Sequence, residues 1–302
     1  MLTIAGSDVM PRTLPPSYRS ARAVEHALRQ LPATIAELGT SVQGAPIVCA
    51  TFGPAAATRV SVVIAGLHAI EWIGVETALA LAERLAAAPP PDRRVHVIAL
   101  ANPDGYLRIE GDLHAGRRRF RRTNANGVDL NRNWPAAFRA IPAWARRLAG
   151  FNWPGSHPAS EPEVAAIVRM LDREVAAGAR IDTALSLHSF GRKLLVPYGG
   201  RWRRPARYAE LHARASAIQD RLRDRYTIDQ VSRWLPGAFA HGIEIDDLHE
   251  RYGACALLVE CRGGLALHTL VAGPFFWFNP PDARAVAGEI SRAVEPFVRG
   301  RD

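Results

Sequence analysis

Apolar residues recur at three- and four-residue spacing over residues 17–31 (Ala21, Val24, Leu28, Leu31), the stripe of a helix with one buried face. Short unbroken apolar runs follow at 45–51, 59–65 and 95–101, rich in Val, Ile and Ala. That is the pattern of strands buried on both faces. Between the last two lies a longer Ala- and Leu-rich stretch, 71–88, closed by Pro89-Pro90-Pro91, and its length predicts a helix. Downstream, Ser160-Glu161-Pro162-Glu163 reads as a capping box with proline in the first turn, opening a helix that runs to 176. Runs at 181–187, 194–198 and 254–259 predict further strands; 205–223 and 282–298 predict helices. Strands alternating with helices predict an α/β fold with a central mixed, mostly parallel sheet flanked by helices. Residues 1–16 read as an extended arm. With no repeat, linker or composition break, 17–302 reads as one domain. Residues 33–41 lead into the first strand, Asn102-Pro103-Asp104-Gly105-Tyr106 carries turn chemistry, and no periodicity is found from there to Trp134. So long an irregular segment, dense in Arg and Asn, is expected to be a binding loop.

Composition narrows the class. Of 302 residues, 48% are hydrophobic, which is ample for a large core, and no apolar run is long enough to predict a membrane span. The N-terminus lacks the basic and apolar regions of a signal peptide, so a cytoplasmic location is the expectation. Cys49, Cys255 and Cys261 form no CxxC pair and read as small buried hydrophobes. The net charge of +9 is carried almost wholly by arginine, since Lys193 is the only lysine. Residues 117–122 hold the densest cluster, and three readings stay open: a nucleic-acid patch, a solvated loop, or an anion site for a small substrate. No helix-turn-helix, RNA-recognition or zinc-finger pattern accompanies it, so no nucleic-acid partner is expected.

Candidate chemistry collects at strand ends. In Gly66-Leu67-His68-Ala69-Ile70-Glu71-Trp72, His68 and Glu71 stand where a buried strand turns into a helix, the edge at which open α/β sheets bind ligands. A His and a carboxylate three residues apart can turn toward one metal ion. A second HxxE, His241 and Glu244, follows no strand and is disfavoured on that ground. His188 ends one later strand and Glu260 another. A His, Glu, His set leaves a fourth zinc position open, as in a catalytic site, and Glu260 is the candidate to take a proton from water there. The bland alternative for Glu260 is a pair with Arg262. In the loop, Asn131 and Arg132 are shaped to hold a carboxylate. Asn126 and Asp129 are at least as well explained as turn residues.

These residues, in this order, resemble the zinc carboxypeptidase family, the group of carboxypeptidase A-like enzymes. The resemblance rests on 37–47, 66–72, 102–106, Gly127-Val128-Asp129-Leu130-Asn131-Arg132-Asn133-Trp134, 160–163, Leu187-His188-Ser189 and Leu258-Val259-Glu260. It implies one zinc ion per chain held by His68, Glu71 and His188, with Glu260 as general base. It also implies a carboxylate clamp of Asn131 and Arg132. Phe120-Arg121-Arg122-Thr123 matches the block carrying the family's oxyanion-stabilising arginine. That role falls to Arg121, or to Arg122 if the register slips by one.

The implied activity is a zinc metallocarboxypeptidase acting on a peptide, or an acylated amino acid, with a free carboxylate. Alternatives are an amidase or deacylase acting on murein peptides or N-acyl amino acids, or a catalytically impaired binding module. The chain also departs from the family pattern. Ile70 stands where an arginine often precedes the glutamate, and the family's mobile tyrosine falls on Ala238, near Trp234, Phe239 and Tyr252. Ile245 falls at the specificity position, implying an apolar terminal side chain. Glu244, Asp246 and Asp247 flank it, and a one-residue slip would imply a basic one.

Overall fold

The structure is a computed structural model, and it describes residues 14–234, 239–262 and 273–301. Its strands are β1 Thr34–Thr40, β2 Pro46–Phe52, β3 Arg59–Ala65, β4 Arg94–Ile98, β5 Arg180–Ser189, β6 Lys193–Val196, β7 Thr227–Gln230 and β8 Cys255–Cys261. They form one eight-stranded mixed sheet in the order β1-β2-β4-β3-β5-β8-β6-β7. The pairs β3–β4, β3–β5, β5–β8 and β6–β7 are parallel, and the other three are antiparallel. The helices are α1 Ala21–Arg29, α2 Trp72–Ala87, α3 Pro103–His114, α4 Arg146–Ala149, α5 Pro162–Ala176, α6 Tyr208–Gln219, α7 Val231–Trp234, α8 Glu244–Glu250, α9 Pro274–Phe278 and α10 Ala283–Val298. Among the described residues no helix is long and apolar enough to cross a membrane.

The unbroken apolar runs serve two cores at once. Val63, Ala65, Leu185, Leu187, Leu257 and Val259 pack on one face with α1, α2, α6 and α10. Their alternate neighbours Val62, Ile64, Ala184, Ala256 and Leu258 pack on the other with α5 and α8. Each such Val, Ile or Leu side chain contributes about 1.5–3 kcal/mol on burial, so the central strands anchor the fold. The parallel register of β5 and β8 sets His188 directly opposite Glu260.

Several elements differ from the sequence reading. β1 is a strand, but it lies at the sheet edge with a bulge between Glu37 and Gly39, so its burial does not alternate cleanly. Asn102-Pro103 is a helix start: the Asn102 side chain accepts from Gly105 N at 2.9 Å and α3 follows. The expected capping box does not form. Ser160 Oγ instead donates to Glu161 Oε1 and accepts from Asn133 Nδ2, and Glu161 holds the N-cap position. β7, α8 and α9 lie outside the elements that the sequence pattern predicts. All three cysteines are buried thiols.

Candidate active site

The turn after β3 places the first two site residues. Gly66 takes φ +68 there, and an added Cβ would press on Val75 and Leu100. The turn is pinned from three sides. Asn102 Nδ2 donates to Leu67 O at 3.0 Å, Ala69 N to Arg122 O at 3.0 Å, and Asn279 Nδ2 to Ile70 O at 2.7 Å. Ile70 is fully buried in the α2-side core. Glu71 is the N-cap of α2 and makes no capping bond; its carboxylate turns to the site instead.

Three acceptors meet there. Glu71 Oε1 lies 2.8 Å from His68 Nδ1, Glu71 Oε2 lies 2.8 Å from His188 Nδ1, and the two Nδ1 atoms are 3.0 Å apart. Ser189 N donates to Glu71 Oε2 at 3.1 Å. Behind the rings stand two carboxylates: Asp129 Oδ1 at 3.1 Å from His68 Nε2, and Glu244 Oε1 at 2.8 Å from His188 Nε2. Ionised carboxylates only accept, so each receives a ring Nε2–H and leaves the Nδ1 lone pairs aimed at one another and at Glu71. Only a positive charge reconciles that geometry. Burial opposes ionisation of His188, yet Glu244 and Glu71 raise it to about 10. Burial likewise works against Glu71, but the two histidines hold it well below the usual carboxylate range. The ligand atoms of His68, Glu71 and His188 all lie within 4.8 Å of one another. Two imidazoles and a carboxylate, oriented from behind by acids, fit a zinc ion with one position left open.

Glu260 lies beside this cluster on a cavity of about 390 Å³, which His68, Glu71, Arg122, Asn131, Arg132 and His188 also line. Its Oε2 is buried without a hydrogen-bond partner among the described residues. Burial and the neighbouring Glu71 carboxylate push its carboxyl above the usual carboxylate range. Arg262, the alternative partner, pairs with Asp224 at 3.4 Å instead.

The structure separates the two candidate arginines. Arg121 is turned to Asp112 and does not line the cavity. Arg122 does: its Nε donates to Asp129 Oδ2 at 2.8 Å, and Nη1 stands 3.6 Å from Glu71. Arg132 donates from Nη1 to Asn131 O at 2.6 Å, and among the described residues it forms no ion pair. Asn131 lines the cavity too, but its amide is partly committed. Oδ1 accepts from Glu244 N at 3.0 Å, and Nδ2 lies 3.4 Å from His188 Nε2.

Other expectations need correction. Ile245 is fully buried in the α5-side core, and Ile243 lines the cavity in its place. Glu244, expected beside a specificity position, backs His188. Asp129 does cap its turn, accepting from Asn131 N at 2.9 Å, but it also orients His68 and Arg122. Asn126 keeps the structural role, donating to Glu161 Oε2 at 2.8 Å. Ala238 lies outside the described residues. Trp234 and Phe239 line the cavity, whereas the Tyr252 hydroxyl donates to Asp172 at 2.7 Å, away from it. Leu195, Val231, Leu258 and Phe278 make much of the wall apolar.

A sheet of this order with such a cluster at its strand ends makes the chain an α/β protein with a candidate metal site. More particularly, the chain belongs to the zinc carboxypeptidase family, whose model matches residues 25–256. Among curated relatives, carboxypeptidase A2 of Rattus norvegicus is 28% identical over 186 residues, covering 58% of this chain and 43% of that protein. Murein peptide amidase A of Escherichia coli K12 is 34% identical over 147 residues, covering 45% of this chain and 52% of that protein. The matches thus span about half the length of these relatives or less. In fold the chain is similar to bovine thrombin-activatable fibrinolysis inhibitor, solved with a tick carboxypeptidase inhibitor, with TM-score 0.75 and 20% identity over 96% of this chain and 99% of that one. It is similar also to murein-tripeptide amidase of Escherichia coli O157, with TM-score 0.57 and 21% identity over 94% and 97%.

Proposed function

We propose that the protein is a zinc-dependent carboxypeptidase that removes a C-terminal residue by attack of water on the last amide bond. The observation that carries this is the convergence of His68 Nδ1, His188 Nδ1 and the Glu71 carboxylate beside a buried carboxyl, Glu260, with an unpartnered oxygen. When bound, zinc supplies Lewis-acid polarisation of the scissile carbonyl and a lowered pKa for water. The rest falls to the chain's own groups. Arg132 takes the terminal carboxylate in its guanidinium fork, with Asn131 at its side, and so sets which amide reaches Glu260. Glu260 accepts the proton of the attacking water and returns it to the leaving amine. Arg122, rather than Arg121, faces the oxygen that gains charge, a contact typically worth about 3 kcal/mol in the transition state. The wall formed by Leu195, Val231, Ile243 and Leu258 favours an apolar terminal side chain.

The experiment is Glu260→Gln, assayed on a panel of peptides with apolar, basic and acidic C-termini. We expect zinc content to stay at one per chain while turnover is lost; a variant that cleaves at the wild-type rate removes Glu260 from the mechanism. A second reading, cleavage of a murein peptide, is favoured by the similarity to the Escherichia coli K12 amidase. Murein tripeptide and N-acyl amino acids in the same panel separate the two by kcat/KM.

A further inference from the structure

The opposite edge of the sheet, where β3, β5 and β8 begin, holds a second polar cavity of about 200 Å³. β5 separates it from the catalytic cleft by about 30 Å of extended chain. Five arginines line it, Arg59, Arg93, Arg180, Arg207 and Arg214, against two carboxylates, Asp182 and Glu210. Arg93 is fully buried, and its Nε and Nη2 make no hydrogen bond among the described residues. Its Nη1 donates to Ser61 Oγ at a long 3.3 Å, and the nearest acids, Asp92 and Asp182, stand off at 3.7 and 3.8 Å.

A buried guanidinium left this poorly satisfied is costly unless something completes it. The local acids cannot. Asp182 spends its two oxygens on Arg59 Nε at 2.6 Å and Arg180 Nε at 2.5 Å, and Glu210 is engaged by Arg207 at 2.8 Å. Arg180 is 73% exposed and held through Nε, so its Nη atoms face water. Gly300, at φ +61, rests its backbone on the Arg93 guanidinium, where a Cβ would come within 2.2 Å of Nη2. The C-terminal turn therefore roofs the cavity.

We propose that this cavity is a binding site for a phosphate-type oxyanion, distinct from the catalytic cleft. Arg93 and Arg180, at the starts of β4 and β5, keep unspent guanidinium nitrogens, and Arg59 and Arg207, though paired with Asp182 and Glu210, add positive charge beside them; together they suit a tetrahedral dianion. Such a ligand ties the N-terminal ends of β3 and β5 to the start of α6 and to the C-terminal turn. It therefore stabilises the folded chain by mass action.

The test uses the whole chain, with sodium phosphate as probe in thermal melts and calorimetric titration, and with sodium chloride at matched ionic strength and sodium citrate as comparison arms. Phosphate is expected to raise Tm at millimolar concentration and to bind with one site per chain. Arg180→Gln combined with Arg207→Gln, both on exposed side chains, should weaken that response about tenfold or more while peptide cleavage in phosphate-free buffer stays unchanged. Arg93→Met should abolish it, and if that variant does not fold, the double variant carries the test. An equal response to chloride, an undiminished response in the double variant, or a response to citrate without one to phosphate each overturns the proposal.

Discussion

Gly74, in the first turn of α2, offers a way to move one metal ligand without touching it. A Cβ added there would stand 2.6 Å from the Leu187 carbonyl oxygen and 3.1 Å from its carbon, both backbone atoms of β5 one residue before His188. Backbone cannot swing aside as a side-chain tip can. Ordinary contact begins near 3.4 Å, so Gly74→Ala requires the start of α2 to retreat from β5 by about 0.8 Å. Glu71 caps that helix and retreats with it, while His188 stays with the strand. Metal sites tolerate ligand displacements of only about 0.2 Å. Zinc affinity is therefore expected to fall at least 10–100-fold, about 1.4–2.7 kcal/mol. The fold itself loses less. Overpacking costs about 1–3 kcal/mol, offset by about 0.5–1 for replacing a helical glycine. The assay is zinc competition against a chromogenic chelator, with thermal melts of the metal-free protein alongside. Gly111→Ala in α3 is the control, because nothing lies within 4 Å of the new Cβ. It should stabilise by about 0.5–1 kcal/mol and leave zinc binding alone. If folded Gly74→Ala holds zinc within twofold of the parent, the close approach of α2 to β5 does not set Glu71's position.

Three further outcomes are expected. Glu244→Ala removes the acceptor behind His188 Nε2 and should lower zinc affinity about 10–100-fold, read by the same competition, with helix content unchanged in circular dichroism. Arg122→Gln should lower kcat/KM about 100-fold, whereas Arg121→Gln, which breaks only a pair with Asp112, should leave it within about twofold; equal losses would return the role to Arg121. Burial pushes Asp246 up to about 7, above its unfolded value, against the pull of the Gly199 and Gly200 N–H groups. Its contribution is thus fully present below the unfolded carboxylate pKa near 4 and is lost as pH rises through 7. Asp246→Asn should therefore gain stability relative to the parent at pH 8 and gain little at pH 4, measured by urea unfolding at both.

What could be read from the chain follows from what burial does to side-chain pattern. β3, β5 and β8 are covered on both faces, so their runs are continuously apolar and the polar residue ending each run stands out. Those ends are His188, Glu260 and the turn to His68. α8 shows the opposite case. Glu244, Asp246 and Asp247 are fully buried yet acidic, each held by partners far away in sequence: Ser186 and His188, Gly199 and Gly200, and Ala136. Polarity patterns register charge and not burial, so the segment reads as a flank and its second HxxE as a coincidence. α3 did carry a helical spacing in Tyr106, Ile109 and Leu113, but Pro103, Gly105 and Gly111 obscured it. Arg121 and Arg122 are chemically identical. The choice between them is made by the backbone, since Arg122 O is tied to Ala69 N beside the metal ligands. Ile243 and Ile245 differ in the same way, by where α8 begins.

The sheet order carries a consequence for how the molecule comes into being. Among the described residues β8 is the last strand, yet it lies inside the sheet, between β5 and β6. β6 meets the rest of the sheet through β8, so a growing chain cannot join its two halves until residue 261 is available. Parallel, sequence-distant pairing of this kind is slow to form. Glu260 reaches His188 only in that closing event. A precursor holding only the first five strands lacks both Asn279, which pins the His68 turn, and Glu260, the proposed proton acceptor beside it. The candidate site is therefore completed only late, once β8 has taken its place beside β5.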